Sequence, residues 1–115
     1  MIQIIKSLNP MRSLSNSTSL VTMYIPGNTK VHEITKMVNL EISKTPNIKS
    51  RQTRQDVQDA LQSVLTNVKN NTNKFPTNGI AIFAGNTTEG FITECVQPIK
   101  PIDRFFYRCD TKFYV

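Results

Sequence analysis

Lys49, Arg51 and Arg54 put three positive charges into one short stretch, with no acid before Asp56. The stretch is a turn between two patterned segments. Pro46 disfavours helical geometry at Thr45, so a preceding helix should finish before it. Ser50 is a good N-cap for the helix that follows, with Asn47 as a second candidate. Unpaired backbone N–H groups and the macrodipole at a helix N-terminus attract anions. Contact with a nucleic-acid backbone and a base fits this chemistry, and so does an ordinary solvated, capped turn. From the loop alone the capped turn is the better reading.

Other groups speak mainly by exclusion. His32 is the only histidine, and with Cys95 and Cys109 it matches no zinc spacing. Two cysteines make no disulfide framework, and reduced thiols in an intracellular protein are the simplest reading. The acids show no catalytic spacing, and Lys49 suits RNA better than covalent chemistry. The residues therefore point away from an enzyme, and no cofactor is implied. At 115 residues the chain forms one domain, 1–115, with a modest core. Its net charge of +6 favours an anionic partner such as RNA. No apolar run is long enough to span a membrane.

The elements that must position these residues follow from periodicity. Val31, Ile34, Val38 and Ile42 repeat at helical spacing over residues 31–44. Glu41 lies at the loop-proximal end of that helix, where a carboxylate is mildly unfavourable. After the loop, Val57, Ala60, Leu61, Val64, Leu65 and Val68 define a buried stripe over residues 50–68. Strands are expected at 18–25, 79–84 and 91–96, the last two as a hairpin. Ile2, Ile5 and Leu8 would form one side of a short helix that Pro10 ends or kinks. The acid-free stretch 1–20 would also suit an organelle transit peptide, but the structural reading is preferred. The tail holds Phe105, Phe106, Tyr107, Phe113 and Tyr114, of which some must be core. The fold expected is α+β: a mixed sheet packed against a helical hairpin with the basic loop at its tip.

Asn47-Ile48-Lys49-Ser50 resembles the NIKS loop of the eukaryotic and archaeal class 1 peptide chain release factors. Tyr107, Cys109 and Phe113 fit a second pattern of that family, Tyr-x-Cys-x-x-x-Phe. Two such motifs in the right order are far more specific than either alone. Residues 75–79 and 98–103 are similar to the segments that precede the family's next strand and its tyrosine motif. The resemblance covers almost the whole chain and implies the N-terminal, stop-codon-reading domain.

The resemblance implies roles residue by residue. Asn47, Ile48, Lys49 and Ser50 match the loop, whose first and third residues meet the uridine that opens a stop codon. Arg51 and Arg54 match basic residues that support codon and ribosomal RNA contacts. Glu41 matches an acid near the purine positions, and Tyr107 and Cys109 match its neighbours across the cleft. Thr18 and Ser19 match the last two residues of a Gly-Thr-Ser loop that discriminates purines, whereas Phe113 is assigned to packing. These types suit single-stranded RNA, whose bases are read by edge hydrogen bonds and aromatic stacking. A carboxylate accepts from exocyclic amines, and a hydroxyl can donate or accept.

The implied partners are the mRNA stop codon and ribosomal RNA in the decoding site, in the cytoplasm. Full-length family members also bind a class 2 release-factor GTPase through domains absent here. The chain departs from the pattern at Ser17, where the family has Gly, and at Pro46 on the approach to the loop. No Gly-Gly dipeptide occurs, so the Gly-Gly-Gln motif that promotes peptidyl-tRNA hydrolysis is missing. With Pro10 interrupting the first helix and the sequence stopping after Phe113, truncation at both ends is expected. Two functions compete: stop-codon recognition, and a truncated relative that binds ribosome, RNA or a protein partner without codon-specific decoding.

Overall fold

The computed structural model describes residues 6–14, 17–70 and 78–115. Four strands, β1 (Leu20–Ile25), β2 (Ile80–Thr87), β3 (Gly90–Val96) and β4 (Phe106–Asp110), form one sheet in the order β3-β2-β1-β4. Two helices, α1 (Val31–Lys44) and α2 (Arg51–Asn70), form the hairpin expected from the apolar stripes. Every strand pairing is antiparallel, which corrects the expected mixed sheet. The correction has a topological cause. The helical hairpin returns the chain to β2 antiparallel to β1, and β4 joins the other side of β1 in the same sense.

Alternation along the strands divides the core in two. Val21, Met23, Ile82 and Ala84 face the helices, where they meet Ile34 and Val38 of α1 and the α2 stripe. Val57, Ala60, Leu61, Val64, Leu65 and Val68 are all buried, as their spacing requires. Leu20, Ala81 and Phe83 point to the other face and pack with Leu8 and Phe113. The Phe83 and Phe113 rings meet edge to face, with centroids 5.8 Å apart. β1 is therefore covered on both sides, in keeping with its continuous apolarity.

The N-terminal residues contribute through Leu8, which is fully buried. Residues 6–8 are helical, whereas Ile2 and Ile5 lie outside the described residues. So does most of the turn between α2 and β2. Gly79, expected to open a strand, instead precedes β2 at φ +91°. A Cβ there would stand 2.1 Å from the carbonyl oxygen of Ile25, so only glycine fits.

β4 was not anticipated from the sequence. It pairs with β1, setting Met23 opposite Tyr107 and Val21 opposite Cys109. Alternation then sends Tyr107 and Cys109 to the helix side, where both pack on the main core. Phe106 goes to the other side and meets the ring of Tyr24 at 5.5 Å.

Candidate nucleic-acid interface

The loop is held from within. Ser50 caps α2, its Oγ accepting from the Thr53 backbone N–H at 3.3 Å. Thr45 to Asn47 form a single 3-10 turn that continues α1, and Thr45 keeps right-handed helical geometry (φ −62°, ψ −30°). The expectation that Pro46 would push Thr45 out of that region is thus corrected. The physical reason is a set of hydrogen bonds at a buried site. Thr45 Oγ1 donates to the Ile42 carbonyl at 2.7 Å and accepts from Gln58 Nε2 at 2.8 Å. The Thr45 backbone N–H also bonds to Ile42. Together these outweigh a local steric preference.

Beside the loop lies a cleft of about 230 Å³ where five parts of the chain meet. Glu41 comes from the last turn of α1, Ile48 from the loop, Tyr107 and Cys109 from β4, and Thr18 from the segment before β1. Val57 and Thr53 of α2 complete the wall. Glu41 pairs with Lys44 at 3.3 Å, in a bridge open to solvent on the lysine side. Such an exposed pair is weak and easily exchanged for another donor.

Tyr107 and Cys109 are bonded to each other, hydroxyl to thiol, at 3.0 Å. Burial, the neighbouring thiol and Glu41 push the Tyr107 hydroxyl far above its ordinary value. Burial likewise raises the Cys109 thiol, partly offset by the hydrogen bond from Tyr107. Both groups are neutral at physiological pH. The thiol is therefore a poor nucleophile, and the phenol keeps its proton as a hydrogen-bond donor, with either group able to donate in the bond between them. The cleft offers a carboxylate acceptor, a phenolic donor and a hydroxyl on an apolar floor.

The remaining sequence-assigned residues fall elsewhere. Asn47, Lys49 and Arg51 are exposed on the loop and the first turn of α2, outside the cleft lining. Arg54 is half-buried and reaches the Ile48 carbonyl at 3.5 Å. Ser19 departs most from its expected place. It is fully buried, and its hydroxyl bonds to that of Ser17 at 2.7 Å, so the side chain does not face the cleft. Ser17 needs no glycine-like geometry, because Asn28 is the one non-glycine with positive φ among the described residues. Phe113 is core, as assigned.

A family profile described as eRF1 domain 1 matches residues 1–115. The chain belongs to the eRF1 domain 1 family. It is 36% identical over 102 residues to peptide chain release factor subunit 1 of Methanopyrus kandleri, covering 85% of this chain and 25% of that protein. It is 37% identical over 120 residues to the eukaryotic subunit 1 of Dileptus margaritifer, covering 99% of this chain and 27% of that one. The crystal structure of an archaeal translation termination factor, aRF1, superposes with a TM-score of 0.88 at 30% identity. That match covers 98% of this chain and 31% of the archaeal one. The chain thus spans about a quarter of the length of the curated relatives it matches.

Within this eRF1 domain 1 fold, several cleft residues escaped the sequence reading: Lys44, Thr45, Thr53 and Val57. The signal was present. Glu41, Lys44, Thr45 and Ile48 follow the i, i+3, i+4, i+7 spacing of one helix face, and Thr53 and Val57 are four apart on the next. Among the described residues no helix is long and apolar enough to cross a membrane.

Proposed function

We propose that this domain acts in translation termination by reading a stop codon as splayed single-stranded RNA. The observation that carries this reading is the convergence of Thr18, Glu41, Tyr107 and Cys109 on one cleft beside the loop of Lys49, Arg51 and Arg54. Bases enter the cleft, where Glu41 accepts from an exocyclic amine and Tyr107 supplies a ring and a donor. The loop cations hold the phosphates and, through Asn47 and Lys49, the first base. Ribosomal RNA of the decoding site is the second anionic partner. A class 2 release-factor GTPase belongs to the longer proteins of this family and would bind outside this domain.

The test is binding of this chain to ribosomal complexes that differ only in presenting a stop or a sense codon. A preference for stop codons that shrinks in Glu41→Gln is the expected result. Equal affinity for both, in the parent and the variant alike, would favour a relative that binds ribosomes without decoding.

A further inference from the structure

On the helix-facing side of the sheet a second hollow, of about 490 Å³ and widely open to solvent, lies between α2 and the β2–β3 hairpin. The hairpin pairs Asn86 directly with Phe91. Strand alternation carries both to the face shared by Ala84 and Cys95, which pack against the helical core. From the opposite side α2 contributes Asp59, Gln62 and Ser63. Phe91 stays 48% exposed, a large ring left at the edge of this open hollow.

The hydrogen bonding of these residues is uneven. Ser63 Oγ is occupied by the Ala60 carbonyl at 2.8 Å. Asp59 Oδ1 accepts from Gln55 at 2.9 Å, leaving Oδ2. The side-chain amides of Gln62 and Asn86 have no hydrogen-bond partner among the described residues. No lysine or arginine lines the cavity. An aromatic face, two unpaired amides and a carboxylate oxygen, without a cation, suit a nucleobase and not a phosphate.

The chemistry favours a base with an exocyclic amine over uracil, and the two amides fit adenine. A side-chain amide presents a donor and an acceptor that match N7 and the N6 amine of adenine. The Asp59 carboxylate also accepts from that amine and repels the carbonyl edge of uracil. We propose that this cavity binds an unstacked adenine of single-stranded RNA, stacked on Phe91 and read by Gln62 and Asn86. The site is separate from the codon cleft and does not depend on it.

Two-dimensional NMR of the chain, titrated with adenosine or uridine, tests this. The nucleosides carry no phosphate, and the signals read belong to residues of this cavity, so a base held at the basic loop does not enter the measurement. Adenosine should shift the side-chain amide signals of Gln62 and Asn86 and the backbone amide of Phe91. Uridine should bind there about tenfold more weakly. Phe91→Ala should weaken adenosine about tenfold through lost stacking, and an unchanged melting temperature would show its fold intact. Gln62→Leu, at an exposed helix position, provides a second reading with the same expected direction. No response at these signals, an equal response to uridine, or undiminished binding in both variants would overturn the proposal. Codon preference plays no part in the measurement, so its failure leaves the proposed function standing.

Discussion

Gln58 ties α2 to the end of α1 by donating to the hydroxyl of Thr45 at 2.8 Å. Thr45 is only 2% exposed, so the hydroxyl has no water to fall back on. The bond braces the base of the loop, one residue before Pro46 and three before Ile48 at the cleft. Thr45→Val keeps the shape, removes the hydroxyl and strands the Gln58 amide. The expected cost is about 1–3 kcal/mol, the penalty for an unsatisfied buried polar group. Urea unfolding checks it, and a variant as stable as the parent would mean that the loop does not rely on this brace.

Leu61 is fully buried where α2 crosses the sheet. Leu61→Ala should destabilise by about 2–5 kcal/mol, through lost burial and the cavity left behind. A thermal melt coinciding with that of the parent would remove Leu61 from the core.

Stability should fall in alkali. Cys109, Cys95 and Tyr107 are charged only when deprotonated, and burial is the first cause of the rise in each. As pH rises, the unfolded chain therefore loses these protons before the folded one. Stability should hold through neutral pH and decline above the ordinary thiol value of 9.0. Urea midpoints across pH 7–10 measure this, and Cys109→Ser should flatten the slope. A midpoint that is constant or rises over that range would contradict the burial of these groups.

The helical hairpin and three of the four strands were legible because periodicity is a local signal. The α2 stripe, from Val57 to Val68, could hardly form anything but a buried helix face. β4 was hidden because its five residues alternate a ring and a thiol on one side with mixed aromatic and charged groups on the other. Only pairing with β1 makes that pattern a strand. Tyr107 and Glu41 are 66 positions apart (107 − 41), and no spacing rule links them; the family motifs did. Ser19 and Thr45 were misjudged for a related reason. Their polar side chains suggested surface or boundary roles, whereas both are buried, Ser19 with its hydroxyl on the nearby Ser17 and Thr45 with its hydroxyl on Gln58 of the next helix.

RNA affinity should be largely electrostatic. Lys49 and Arg51 are exposed and Arg54 is half-buried, so the loop presents charges to phosphates. Binding to a short single-stranded RNA should weaken as salt rises, and Lys49→Ala should reduce the logarithmic salt slope by about one. A flat salt response would remove the phosphate contacts from the account.

The sharpest expectation concerns division of labour between loop and cleft. Lys49 lies outside the cleft lining while its neighbour Ile48 lies within it, so a base held by Lys49 would sit at the cleft mouth. Tyr107 lines the interior and shares its hydroxyl with Cys109. Tyr107→Phe keeps the ring and removes one donor, a change worth about 0.5–1.5 kcal/mol in net terms. Its expected effect is a loss of roughly 2- to 10-fold in affinity for stop-codon ribosomal complexes, with sense-codon complexes and the salt slope unchanged. Lys49→Ala should weaken both complexes, the stop-codon complex more. Equal losses for Lys49→Ala would reduce that residue to a phosphate contact. A Tyr107→Phe variant that binds both complexes as the parent does would leave the phenol a packing group, and the cleft would then read codons without it or not at all.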